Sequence, residues 1–206
     1  DLYGNGLKEV FVGSDNGDLF GFMVGGNDLT GFPFTAEDKI RSSPAIGDVD
    51  NDGSNEVVFG SHDGTLYILS LVGSQELAYL QSGYIVGSPA LVDLDSDEDM
   101  EIVFTTQDGS NSGLLYAIHH DGENVTGFPV DVNEKMLVGP AVGDLEGDEL
   151  VDIVIATWED KIYAVDNTGM IKSGFPYSST NRFNSPPTLA DLDGDGDLEI
   201  IAGNDS

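Results

Sequence analysis

The chain has 206 residues, 39% of them hydrophobic, with 10 Phe and 7 Tyr, which is enough apolar material to bury a core and too much for a disordered acidic polymer. Lys and Arg number 7 against 38 Asp and Glu, a formal charge of −31 that repels nucleic acid and anionic membrane surfaces and makes a cation the natural partner. Cysteine is absent, which removes disulfides, thiol nucleophiles and cysteine-based zinc sites, and no run approaches the roughly 18 apolar residues of a membrane span. With no basic and apolar leader at its start, the chain reads as a mature or excised soluble piece without direct membrane insertion.

An acidic repeat runs through the chain. It opens faintly as DLYGNGLKEVFVG at Asp1, then returns as DVDNDGSNEVVFG at Asp48, DLDSDEDMEIVFT at Asp93, DLEGDELVDIVIA at Asp144 and DLDGDGDLEIIAG at Asp191. The copies recur every 45–51 residues, a period that four-stranded propeller blades and some helical solenoids share. Local patterning separates the two, because each copy ends in a short β-rich run (EVVFG, EIVFT, DIVIA, EIIAG) and the complete ones continue through a polar turn into another apolar run, as in Ser61-His62-Asp63-Gly64 followed by TLYIL. These are antiparallel hairpins, so the expected fold is all-β.

Within each blade the predicted order is inner strand, acidic loop, second strand, hairpin, third strand, hairpin, outer strand. Small, Pro-containing runs (Ser43-Pro44-Ala45, Ser88-Pro89-Ala90, Gly139-Pro140-Ala141, Pro186-Pro187-Thr188) precede the acidic loops and suit a crowded innermost strand. Gly-Phe-Pro at 31–33, 127–129 and 174–176 is assigned to the outermost strand, where proline is tolerated, with Gly83-Tyr84 standing in its place in the second blade. Blade boundaries fall at about 1–39, 40–85, 86–136, 137–183 and 184–206, about four to five blades. Because Glu199–Gly203 would duplicate Glu9–Gly13 on closing a five-bladed ring, the chain reads as a section of a larger propeller or an open array.

Side-chain oxygens recur in the loops at positions 1, 3, 5 and 9, a spacing that turns alternate carboxylates toward one cation while the carbonyl at position 7 completes the shell. The donor sets are Asp48, Asp50, Asp52, Ser54 and Glu56; Asp93, Asp95, Asp97, Asp99 and Glu101; Asp144, Glu146, Asp148, Leu150 and Asp152; and Asp191, Asp193, Asp195, Asp197 and Glu199. Calcium, which takes 6–8 oxygens in flexible geometry, suits them better than magnesium. Gly53 and Gly196 supply the sharp turn at position 6, whereas Glu98 and Glu149 stand there in the other two loops and are expected to carry left-handed strain. Asp1, Tyr3, Asn5 and Glu9 make a poor set, so weak binding or none is expected there. Within the four good loops lie 20 of the 38 acids, a concentration that a merely solvated face would not produce.

This pattern, Ser-Pro-Ala followed by Asp-x-Asp-x-Asp-Gly-x-x-Glu and a Val/Ile-rich strand, resembles the FG-GAP or VCBS repeat of integrin α subunits and microbial surface proteins. The resemblance implies a β-propeller in which the side chains at positions 1, 3, 5 and 9 and the carbonyl at position 7 hold calcium on one face.

No catalytic constellation stands out. His62, His119 and His120 border hairpins without ligand spacing and read as turn residues; Trp158 reads as a turn or packing residue; Phe32, Phe128 and Phe175 recur in register and read as inter-blade packing. No serine sits in a nucleophile elbow and no glycine-rich phosphate loop occurs. The expected function is a non-catalytic calcium-binding module of a secreted or cell-surface protein that binds protein or carbohydrate, or acts as a scaffold. The alternative is the partial propeller of a secreted lyase, hydrolase or protease.

Overall fold

A computed structural model describes residues 6–110 and 112–205, so Asp1, Tyr3 and Asn5 of the opening acidic copy lie outside the described residues. Seventeen strands and no helix occur among the described residues. The first sheet is a meander of β1 (Val10–Gly13), β2 (Asp18–Phe22) and β3 (Phe34–Thr35). Three four-stranded meanders follow: β4 (Ala45–Gly47), β5 (Glu56–Gly60), β6 (Thr65–Ser70) and β7 (Gln75–Leu80); β8 (Ala90–Val92), β9 (Glu101–Thr105), β10 (Leu114–Ile118) and β11 (Val130–Asp131); and β12 (Ala141–Gly143), β13 (Asp152–Ala156), β14 (Lys161–Val165) and β15 (Tyr177–Ser178). The last sheet pairs β16 (Thr188–Ala190) with β17 (Glu199–Ile201), and every pairing is antiparallel.

The second strands explain how the sheets stack. β5, β9 and β13 are buried along their whole length, as continuous apolar, β-branched runs must be when both faces are covered. Alternate residues serve opposite neighbours. Val57 and Phe59 join Leu19, Leu29 and Phe32 of the first sheet, while Val58 faces Ile102 and Phe104 of the third. Likewise Val103 meets Ile153 and Ile155, and Val154 and Ala156 turn to the last sheet, where Leu189 and Ile200 pack against them. The sheets are therefore blades stacked face to face, with Phe32 and Phe128 filling the seams as expected.

At the axis the first strands lie side by side, β4 beside β8, β8 beside β12 and β12 beside β16. Crowding there accounts for the small residues: a Cβ on Gly87 would sit 2.5 Å from the Val138 carbonyl carbon, and one on Gly139 would sit 2.3 Å from the Ser88 oxygen. Ser42 is buried and its hydroxyl donates to the Gly60 carbonyl at 2.9 Å and accepts from the Gly60 amide at 2.8 Å.

The Gly-Phe-Pro tripeptides do not lie in the outer strands. Each forms the turn that precedes a two-residue outer strand, β3, β11 or β15, and the second blade, which lacks the tripeptide, has the six-residue β7 instead. Gly83-Tyr84 follows β7, and Tyr84 bridges Gln107 of the next blade. In the first two tripeptides the glycine meets the neighbouring blade: a Cβ on Gly31 would fall 1.8 Å from the Val72 oxygen, and one on Gly127 would fall 2.0 Å from the Thr168 oxygen. Side chains are excluded there because two backbones touch.

Antiparallel order sends all the loops between first and second strands to one end of the stack. The opposite end carries the hairpins between second and third strands and the connections between blades, and with them Lys39, Arg41, Lys135, Lys161 and Arg182. Trp158, in the β13–β14 hairpin, lies there between Lys135 and Arg182, whose charged groups are 5.6 and 4.7 Å from its ring centre.

Candidate metal centres

Each of the four acidic loops from Asp48 onward is bent by two left-handed residues. Position 6 is left-handed at Gly53, Glu98, Glu149 and Gly196, with φ of 92°, 80°, 68° and 101°. The strain expected at the two glutamates is therefore present. Position 4 is left-handed as well, at Asn51, Ser96, Gly147 and Gly194, a second bend that the sequence pattern did not reveal.

These bends let carboxylates collect backbone donors. Asp48 accepts from Asp52 N at 3.1 Å and Gly53 N at 2.9 Å; Asp144 accepts from Glu146, Asp148 and Glu149 at 3.2, 3.1 and 2.7 Å; Asp191 accepts from Gly194 and Gly196 at 2.6 and 3.2 Å. Burial alone would raise the Asp144 pKa, but these amides outweigh it and hold the carboxyl below its ordinary value. At position 5, Asp52, Asp97, Asp148 and Asp195 each accept from the amide two residues on, that of Ser54, Asp99, Leu150 and Asp197, at 2.7, 3.0, 3.0 and 3.1 Å.

The ninth position closes every loop in the same way. Glu56, Glu101, Asp152 and Glu199 open the second strand, and each accepts from the position-2 amide: Val49 at 3.0 Å, Leu94 at 2.6 Å, Leu145 at 3.2 Å and Leu192 at 2.7 Å. Three of these acids are almost wholly enclosed, Glu56 at 3%, Glu101 at 0% and Asp152 at 2% exposure. Burial pushes Glu56 up to about 7, with Asp50, Glu76 and Asp52 adding to the rise, and burial raises Glu101 as well. A buried carboxylate with one spare oxygen beside other acids is costly without a cation.

Three loops bring such groups together. Ligand oxygens of Asp48, Asp50 and Glu56 lie within 4.8 Å of one another, and so do those of Asp191, Asp193 and Glu199. In the third blade Asp95, Asp97 and Glu101 converge in the same way and are joined by His119, whose Nδ1 is 3.1 Å from Glu101 Oε1. The sequence places His119 at a turn; β10 ends just before it, and antiparallel pairing of β10 with β9 carries it back to Glu101. Only register reveals that proximity. His120 lies beyond, 3.3 Å from Asp99 Oδ2, while His62 occupies its hairpin and stacks on Tyr84 at 5.3 Å. These oxygen-rich clusters can hold a hard cation.

The fourth loop differs from the expected set. Lys172 Nζ lies 2.7 and 2.8 Å from the two Asp152 oxygens and 3.1 Å from Glu146 Oε2. An ammonium thus stands against two of the residues that were expected to be ligands.

One buried acid lies outside the loops. Glu134, 5% exposed, accepts from Thr157 Oγ1 at 2.6 Å and Tyr163 Oη at 3.2 Å and pairs with Lys161, closing the opposite end of the fourth blade.

Stacked four-stranded meanders with acidic first loops define propeller blades. Residues 144–202, which run from the fourth acidic loop through the fifth, match the sequence model of the FG-GAP-like repeat. No curated protein sequence matches the chain. Among solved structures, the C-terminal domain of Pseudomonas aeruginosa PilY1 is similar with a TM-score of 0.74 and 15% identity, over 96% of this chain and 52% of that one. The Vibrio cholerae biofilm matrix protein Bap1 is similar with a TM-score of 0.53 and 18% identity over 92% of this chain and 40% of its own, and quinohemoprotein alcohol dehydrogenase from Comamonas testosteroni with 0.62 and 14% over 93% and 37%. The chain therefore spans about half or less of the length of these structures, and the likeness is one of fold.

Proposed function

We propose that the chain is a non-catalytic, calcium-stabilised propeller module of a secreted or cell-surface protein, serving protein or carbohydrate binding, adhesion or scaffolding. The observation that carries this reading is the convergence of carboxylates from positions 1 and 3 on the glutamate at position 9, buried in the Asp48 loop and half-buried in the Asp191 loop, on a doubly left-handed backbone. An all-oxygen donor set of this kind selects a hard cation, and the recurrence of the geometry blade after blade suits a structural device better than a single reaction centre. Extracellular modules bind calcium at about 10⁻⁴–10⁻³ M, within reach of the calcium outside cells and far above that in cytosol. The matrix protein among the structural relatives agrees with such a setting. The dehydrogenase among them makes clear that the fold alone does not forbid catalysis, so the weight rests on the loops.

Thermal unfolding in calcium, in magnesium and in excess chelator tests the proposal. Three loops filled at about ten times their dissociation constant would add roughly 4 kcal/mol, a rise of about 10 °C for a chain of this size. Magnesium should give far less. Coincident calcium and chelator curves would remove the metal from the proposal.

A further inference from the structure

We propose that the Asp144 loop takes no calcium because Lys172 is its cation. This rests on the calcium reading of the sister loops, whose carboxylates converge on one another where this one closes on an ammonium.

Register identifies Lys172 as a replacement at a defined position. Its amide donates to Ala164 O, as that of Leu29 donates to Gly21 O in the first blade and that of Val125 to Ala117 O in the third. Each of the three residues is followed three positions later by the phenylalanine of Gly-Phe-Pro, whose amide returns to its carbonyl. Leu29 and Val125 are buried in the inter-blade cores, at 1% and 4% exposure. The fourth blade puts a lysine where its sisters put an aliphatic side chain. Its four-carbon stem remains partly covered, the side chain being 15% exposed, while the ammonium reaches the loop.

The loop is altered to match. Position 9 is Asp152 where the other loops have Glu56, Glu101 and Glu199, and the shorter acid turns both of its oxygens to Lys172. Position 3 is Glu146 in place of Asp50, Asp95 and Asp193, and the longer acid reaches out to Lys172 at 3.1 Å. Both changes place carboxylates around a charge arriving from the third-to-fourth-strand segment. Asp152 holds its two oxygens on Nζ at 2.7 and 2.8 Å while Oδ2 also keeps the Leu145 amide. A calcium ion at this position would have to share its carboxylates with a fixed positive charge within bonding distance of them, which Coulomb repulsion opposes.

Calcium stoichiometry and melting of the full chain carry the test. Asp148→Asn on the wild-type background should leave the calcium count unchanged, whereas Asp50→Asn should lower it by about one. Lys172→Met, which restores an apolar residue at the aliphatic position, should gain about one calcium, and Asp148→Asn should then abolish the gain. In chelator, Lys172→Met should melt roughly 5–10 °C below wild type, because Asp152 and Glu146 lose their counter-ion, and calcium should close most of that gap. A wild-type count that falls with Asp148→Asn overturns the proposal, and so does a Lys172→Met protein that melts with wild type in chelator. If wild type binds no calcium while Lys172→Met still melts low, the calcium reading of the sister loops fails and Lys172 remains the counter-ion of the fourth.

Discussion

Glu56 is a carboxyl that folding moves from water into the seam between blades, with its Oε2 on the Val49 amide. Burial raises its pKa from an ordinary 4.5 to about 7. Without calcium the folded protein therefore holds a proton that the unfolded chain has released across that interval, and stability falls as pH rises from about 4.5 to about 7 before levelling off. Glu101 is shifted in the same direction, also first by burial. Glu56→Gln keeps an acceptor for Val49 and removes the titration, so in chelator its melting temperature should fall less steeply with pH than that of wild type. Parallel curves for the two proteins would mean that Glu56 titrates as an exposed acid. The proposed calcium needs the ionised form, so its binding at this loop should weaken as pH falls through that interval.

At the scale of the element, the blades depend on places where no side chain fits. Gly127 has φ 99° and a Cβ there would lie 2.0 Å from the Thr168 carbonyl oxygen, whereas Gly174, at φ 93° in the same tripeptide of the next blade, has nothing within 4 Å. Gly127→Ala should cost about 3 kcal/mol or more and Gly174→Ala about 1 kcal/mol, since only the first adds a backbone clash to left-handed strain. Urea or thermal denaturation of the two variants compares them directly, and equal losses would discard the inter-blade clash. The strands, the acidic loops and the glutamate turns at Glu98 and Glu149 were legible in the sequence because each is written within a dozen residues, as alternating spacing or an apolar run. Gly-Phe-Pro was misplaced because proline marks a turn before an edge strand as readily as the strand itself. His119 and Lys172 were illegible as neighbours of the loops: they lie 18 residues beyond Glu101 and 20 beyond Asp152, and only strand register folds them back. The left-handed bend at position 4 escaped because glycine stands there only at Gly147 and Gly194, with Asn51 and Ser96 in the other two loops.

At the scale of the molecule, charge is sorted by end. The acidic loops share one end, and five of the 7 basic residues share the other, so much of the −31 is crowded into closely spaced loops. Screening falls to about 10 Å at 0.1 M salt, shorter than the span of the stack but longer than the spacing of acids within a loop. Raising sodium chloride from about 0.02 to about 0.5 M in chelator should therefore raise the melting temperature by several degrees, and calcium should flatten that dependence by placing positive charge inside the loops. A melting temperature indifferent to salt in chelator would mean that the loop carboxylates are already neutralised. The contact between Lys172 and Asp152 separates one blade from this dependence on the medium. An ion joined to its site by a short stretch of chain has an effective concentration on the order of millimolar that neither dilution nor a chelator can lower. The fourth blade thus carries its own permanent counter-ion, and on the calcium proposal its loop keeps its charge balance as free calcium drops.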